Sequence, residues 1–192
     1  METFDIIISI FLGIGLATAV GFRVFLPLLI LSLAGFYDVI PLNESWQWVG
    51  SLTAVITMGV ATLVEIFGYY IPWFDNLLDT IALPLATLAG TAVMVATVTD
   101  LSPAVTWTLA IIAGGGTAAA IKGNTSAARL TSSTTTGGLA NPVLTTVETG
   151  TSIVMAVAAI FIPIIAFVLV LFLFFIIFRF YKKLRKKRLP RT

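Results

Sequence analysis

The chain has 192 residues, of which 58% are hydrophobic and only 10% charged, with a mean hydropathy of +1.06 and a formal net charge of +2. Soluble domains do not have this composition, and the repeated long apolar runs are what a hydrocarbon core about 30 Å thick asks of a helix. Cysteine and histidine are both absent, which excludes disulfides, thiol nucleophiles, imidazole acid–base chemistry and the usual zinc and haem ligand sets.

The expected fold class is all-α: a polytopic helical membrane protein of five or six spans, with 1–178 as one helical transmembrane domain and 179–192 as a basic cytoplasmic tail. Met1-Glu2-Thr3-Phe4-Asp5 carries acids where a signal peptide carries bases, so the first segment reads as a retained membrane helix. Span one covers residues 6–33 and is followed by a polar connection with Tyr37, Asp38, Pro41, Asn43 and Glu44. Trp46 and Trp48 mark an interface, span two ends at Tyr69, Tyr70 and Ile71, and Pro72 and Trp73 close it with a second aromatic belt. Span three covers residues 77–98. Asp100, Ser102 and Pro103 make the next turn, and span four covers 104–121.

Residues 122–142 differ in kind, because Thr125, Ser126, Thr131, Ser132, Ser133, Thr134, Thr135 and Thr136 accompany Gly137, Gly138 and Asn141. This stretch is too polar to span lipid alone and nearly lacks the charges of a solvated loop. It reads as a re-entrant or broken-helix segment, with a hydroxyl-rich loop as the alternative. The apolar stretch 143–178 would be about 54 Å long as one helix, so it must break or leave the bilayer. Pro163 and Gly150 are the places for that.

Arg179, Lys182, Lys183, Arg185, Lys186, Lys187, Arg188 and Arg191 crowd the C-terminal end and place it in the cytoplasm by the positive-inside bias. They read either as a topology anchor or as a contact for anionic lipid or a cytoplasmic partner; nucleic acid is not an expected partner. Taken as loop residues, Lys122 and Arg129 favour six spans by the same bias.

Small residues recur every fourth position in three rows: Gly13, Ala17, Gly21; Ala82, Ala86, Gly90; and Gly115, Ala119, Gly123. Each row makes a groove that suits glycine-zipper-like packing, inside one subunit or in a homo-oligomer. A short internal echo relates residues 15–21 to 116–123, followed by Arg23 and Arg129, and relates Glu65 to Glu148. Were it a true repeat, the intervening crossings would make it inverted, a transporter architecture.

The charged residues inside the apolar segments carry the functional reading. A charge near the centre of a membrane helix costs at least about 2.5–3.5 kcal/mol, so Arg23 and Glu65 should face partners or a wet cavity. They are of opposite sign on neighbouring spans, which points to mutual neutralisation. Counted from the connection between their spans, however, they lie roughly 15 and 26 Å deep, so a bridging water, Arg129 or Glu148 is an alternative partner. Asp75 and Asp79 are one helical turn apart, and with Asn76 and Thr80 nearby they offer oxygens to a hard cation; Asp75 also serves as a helix cap.

Gly21-Phe22-Arg23-Val24-Phe25-Leu26-Pro27-Leu28, the run from Glu65 through Tyr69-Tyr70-Ile71-Pro72-Trp73-Phe74-Asp75 to Asp79, and Thr134-Thr135-Thr136-Gly137-Gly138-Leu139-Ala140-Asn141-Pro142 resemble the bacterial domain of unknown function 4126 family, over nearly the whole chain. The resemblance implies a multi-pass membrane protein of the bacterial inner membrane and carries no activity with it. Three function classes follow from the residues. The first is a small transporter or channel whose route is lined or gated by Arg23, Glu65, Asp75, Asp79, Arg129 and Glu148, with Thr134, Thr135, Thr136 and Asn141 as its polar segment. The second is a non-transporting scaffold or assembly protein whose charges are internal locks. The third, an intramembrane enzyme with metal-bound carboxylates, lacks a nucleophile and base. Gly114-Gly115-Gly116 lacks the lysine and hydroxyl spacing of a phosphate loop, so transport would be passive or ion-coupled, and no cofactor is expected.

Overall fold

Prolines punctuate the chain, and four of the eight α-helices among the described residues have one in their first two positions. The computed structural model describes residues 3–99 and 101–188. Residues 1, 2, 100 and 189–192, and the side chains of Pro72, Trp73, Asn76, Tyr181 and residues 184–188, lie outside what is described, so the expectations for Asp100 and Arg191 do too. The elements are α1 (Thr3–Phe22), α2 (Phe25–Phe36), a 3-10 turn (Glu44–Gly50), α3 (Leu52–Gly68), α4 (Pro72–Thr97), α5 (Pro103–Leu109), a π-turn (Ala110–Gly115), α6 (Gly116–Thr136), α7 (Asn141–Phe161) and α8 (Pro163–Arg188). Pro72, Pro103 and Pro142 sit in first turns, where a missing N–H costs nothing. There is no strand among the described residues.

The expected single span over residues 6–33 is two helices. In a continuous helix, Pro27 would meet the carbonyl of Arg23, four residues before it, and would leave that carbonyl without a donor. The helix therefore stops at Phe22 and restarts at Phe25, where Pro27 falls in the first turn. Arg23 lies at this break and not at the middle of a span. The final stretch breaks for the same reason at Ile162, which is non-helical just ahead of Pro163. In a straight helix Ala159 and Ala166 would stand about 10 Å apart; here both lie within 3.2 Å of the place a side chain on Gly15 would occupy.

Residues 122–136 correct the expectation of a re-entrant or looped segment, because they continue α6 as regular helix. The hydroxyls that argued against a helix bond back to the preceding turn: Thr131 to the Ala127 carbonyl at 2.9 Å, Thr135 to Thr131 at 2.7 Å and Thr136 to Ser132 at 2.8 Å. Their polarity is thus spent on the helix itself. The helix ends where Gly137 adopts φ of 63° and Gly138 φ of 85°, a left-handed pair that glycine supplies without strain.

Chain directions follow from which residues meet. Gly13 lies against Met94 and Thr97, Gly21 against Ala118 and Ile121, and Gly90 against Gly114 and Ala118, so α1 and α6 run parallel to each other and antiparallel to α4. Ser152 donates to the Ala19 carbonyl and Ala159 meets Gly15, so α7 runs back along α1. Beginning beside Glu65 and passing Val49 at Ser32, α2 runs antiparallel to α3; Leu33 and Ala34, near its end, share a groove with Ile160 and Phe161 of α7. Three helical hairpins, α1–α2, α3–α4 and α6–α7, therefore bring their tips to one end of the bundle. The two segments of the internal echo are parallel in this arrangement, which is not the relation an inverted repeat requires.

Central in the bundle, α1 contacts α2, α4, α6, α7 and α8, and nearly all of it from Leu12 to Gly21 is buried. The small-residue rows Gly13, Ala17, Gly21 and Ala82, Ala86, Gly90 serve contacts within this one chain, whereas Gly123 faces open space. Among the described residues, five helices are long and apolar enough to cross a membrane, with α5, the π-turn and α6 counted as one, and six if the 3-10 turn and α3, bent at 62°, count as one span. At 12 residues α2 is too short to cross alone. The chain is an integral membrane helical protein.

Candidate functional site

The charged residues of the apolar segments meet where the three hairpin tips converge. Arg23 comes from the break between α1 and α2. Glu65 comes from the last turn of α3 and Tyr69 from just beyond it, Asp75 and Asp79 from the first turns of α4, Lys122 and Arg129 from α6, and Glu148 from α7. Arg23 and Lys122 are 0% exposed, Arg129 2%, Glu65 and Asp75 4%, and Glu148 6%.

Glu65 does not serve as the counter-ion of Arg23. Its two carboxylate oxygens accept the backbone N–H of Val24 at 2.7 Å and of Phe25 at 2.9 Å. These are amides at the start of α2, which have no partner inside the helix, and Val24 in the cap position has no side-chain acceptor to offer. A carboxylate from α3 supplies the missing cap and sits at the positive end of the α2 dipole. The break in the chain and the buried acid explain each other.

Arg23 instead reaches α7. Its Nε donates to Thr149 Oγ1 at 3.0 Å and its Nη2 to the Thr145 carbonyl at 3.0 Å, with Glu148 Oε2 at 3.6 Å. Its Nη1 is buried without a hydrogen-bond partner. Arg129 is more fully engaged: Nε bonds Glu148 Oε1 at 3.1 Å, Nη2 bonds Glu148 Oε2 and Thr145 Oγ1, and Nη1 bonds Asp75 Oδ1 at 2.8 Å. This is a two-pronged grip on Glu148 with Asp75 held from the side, a use of the guanidinium fork that lysine cannot reproduce. Because Lys122 and Arg129 are interior groups and not loop residues, they carry no weight in the positive-inside argument for six spans.

Tyr69, which the sequence reading passed over as an interface aromatic, is 3% exposed at the centre of this arrangement. The guanidinium carbons of Arg23 and Arg129 lie 4.2 and 4.3 Å from its ring centroid, and Lys122 Nζ donates to its hydroxyl at 3.4 Å. An electron-rich ring between cations offsets part of their mutual repulsion. Lys122, Thr145 and Thr149 are further members that the sequence reading missed. Thr145, Glu148, Thr149 and Ser152 recur at helical spacing on one face of α7, and that polar stripe inside an apolar helix was the available signal.

Asn141 joins the cluster by donating from Nδ2 to Asp75 Oδ2 at 3.1 Å and to Ser133 Oγ at 3.2 Å. Thr134, Thr135 and Thr136 do not join it; they are exposed, and their hydroxyls return to their own helix. The pairing of Asp75 and Asp79 as cation ligands also fails on geometry, since both oxygens of Asp75 are taken by Arg129 and Asn141. Among the described residues, no group of three or more His, Cys, Asp or Glu could hold a metal ion. Asp79, one turn further along α4, has its Oδ1 buried with no partner.

A cleft of about 420 Å³ opens above the cluster, lined by Tyr69, Tyr70, Asp75, Ser133, Asn141 and the Gly137–Gly138 turn. It brings outside space to Asp75 and Tyr69, the outermost members of the buried network.

A family model described as Domain of unknown function (DUF4126) matches residues 10–183. Neither the curated proteins nor the solved structures contain a match to the chain. The chain belongs to the DUF4126 family.

Proposed function

For this member of the DUF4126 family we propose a small transporter or channel for an ion or small solute, without enzymatic activity, whose binding site is the charge cluster beneath the cleft. The observation that carries the reading is the combination of a cleft that reaches Asp75 and Tyr69 with buried polar atoms left unpartnered in the cluster beside it. Arg23 Nη1 and Asp79 Oδ1 are held in the interior without partners, a costly state that a purely structural network would avoid. On the other side of the cluster α1 is packed to direct contact, with Gly13 on Met94 and Gly15 on Ala159. The site is thus open toward one end and closed toward the other, as in a carrier caught in one of its states. Within the same proposal the protein lies in the bacterial inner membrane, with a cytoplasmic C-terminus and the basic tail against anionic lipid, on the strength of the basic residues after the last apolar helix.

One observation favours the second reading, a non-transporting scaffold whose charges are locks. Arg129 is satisfied by Glu148, Asp75 and Thr145 together, and Glu65 is fully used as a helix cap. These two residues hold the fold under either reading.

The test is flux in liposomes containing purified protein, scanning sodium, potassium, chloride and protons under an imposed gradient, with wild type beside Ser133→Trp. Ser133 is exposed on the cleft wall, so an indole there fills the approach at the cost of the Asn141–Ser133 hydrogen bond, while the contacts of Arg23 and Arg129 are untouched. Flux above protein-free liposomes that Ser133→Trp largely removes is the expected result. No flux of any ion would favour the scaffold and leave only an organic solute as cargo.

A further inference from the structure

The cluster contains three cations, Arg23, Lys122 and Arg129, and four carboxyl groups, Glu65, Asp75, Asp79 and Glu148. Fully ionised, it would hold one uncompensated negative charge in a largely buried cluster, in which Asp79 is half-buried and the other six residues are buried, and such a charge is expensive in a low-dielectric interior. Three of the carboxylates are committed. Glu65 takes two backbone amides, Asp75 takes Arg129 and Asn141, and Glu148 takes both sides of the Arg129 fork with Arg23 beside it. Asp79 alone has a buried oxygen, Oδ1, with nothing donating to it.

A metal cation does not fit this vacancy. Hard cations take about six to eight oxygen ligands, and the neighbouring carboxylate oxygens are already occupied by N–H donors. A proton needs one oxygen. The charges acting on Asp79 are Arg129 and Lys122 from α6, Asp75 from its own helix and Glu148 from α7, with the Tyr69 ring in the turn before α4. We propose that the cluster binds one proton, that Asp79 is its acceptor, and that this proton is the coupling ion of the transport site. The last clause rests on the transport reading; the first two do not. Bound there, the proton removes the surplus charge and turns an orphan acceptor into a neutral carboxyl. Its path in is short, because Asp75, one turn earlier on the same helix face, lines the cleft.

The test is infrared spectroscopy of purified protein in detergent, where no gradient or cargo is needed. At pH 7 wild type is expected to show the C=O stretch of one protonated carboxyl per chain, lost on raising the pH. Asp79→Asn is expected to lack that band while helix content and elution volume persist, and Asp79→Glu to restore it at a shifted frequency. Absence of the band in wild type between pH 5 and 9, or its survival in Asp79→Asn, overturns the proposal. Should Asp79→Asn fail to fold, a band that keeps its wild-type frequency in Asp79→Glu overturns it equally. A band without flux would leave the proton site standing and remove the coupling role, whereas flux without a band would remove both and leave only the transport reading standing.

Discussion

Glu65 and Arg129 are both buried charged residues, yet they stabilise by different means, and substitution separates them. Replacing Glu65 by Gln keeps one acceptor for α2 but turns an N–H₂ toward the second backbone amide and removes the charge facing the dipole. The expected loss is about 1.5–3 kcal/mol, the value of hydrogen bonds to a charged group, read as a lower unfolding midpoint in detergent. Replacing Arg129 by Met strands Asp75 and Glu148 as buried carboxylates at once, and the expected loss is larger, about 3–5 kcal/mol. At this scale the sequence marks charged residues in apolar segments but not whom they touch. Composition marked Arg23, Glu65, Asp75, Asp79, Arg129 and Glu148 as anomalous in apolar surroundings, and all six meet at one end of the bundle. The neighbourly pairing of Arg23 with Glu65 was wrong because a broken helix exposes backbone amides, and these compete successfully for the carboxylate.

The helices show the same division between what pattern reveals and what it hides. Prolines were available in the sequence as start signals, and Pro27 placed four residues after Arg23 was enough to divide the first span, had the carbonyl clash been weighed against the continuous apolar run. The serine- and threonine-rich stretch misled in the opposite direction: its hydroxyls are satisfied by the helix's own carbonyls, so polarity there did not mean a loop. The small-residue rows include glycines in close contact and one, Gly123, in open space, and which are used depends on neighbours that spacing does not name. Gly90→Ala would place its new carbon 2.5 Å from Ala118 Cβ and 2.8 Å from the Gly114 carbonyl oxygen. The expected cost is about 1–3 kcal/mol, since backbone atoms must shift. Gly123→Ala, in the same kind of row, meets nothing within 4 Å and is expected to be neutral or stabilising by up to about 1 kcal/mol. Thermal unfolding of the two variants side by side checks the contrast.

As a whole, the molecule is three hairpins whose tips gather polar groups around Tyr69, closed by α8 and reached from outside through one cleft. The burial of three cations beside four acids is sustained because several elements contribute partners: an α3 acid caps α2, an α7 hydroxyl and a carbonyl hold Arg23, and α4 and α7 acids share Arg129. Three atoms of the cluster escape this accounting, Arg23 Nη1, Asn141 Oδ1 and Asp79 Oδ1, and the functional account turns on the last of them. It assigns structural work to Glu65 and transport work to Asp79. The most direct test measures proteoliposome flux and unfolding midpoint together for wild type, Glu65→Gln and Asp79→Asn. The account predicts that Asp79→Asn loses flux while its stability stays within about 1 kcal/mol of wild type, and that Glu65→Gln is the destabilised variant. Wild-type flux in a folded Asp79→Asn protein would contradict it.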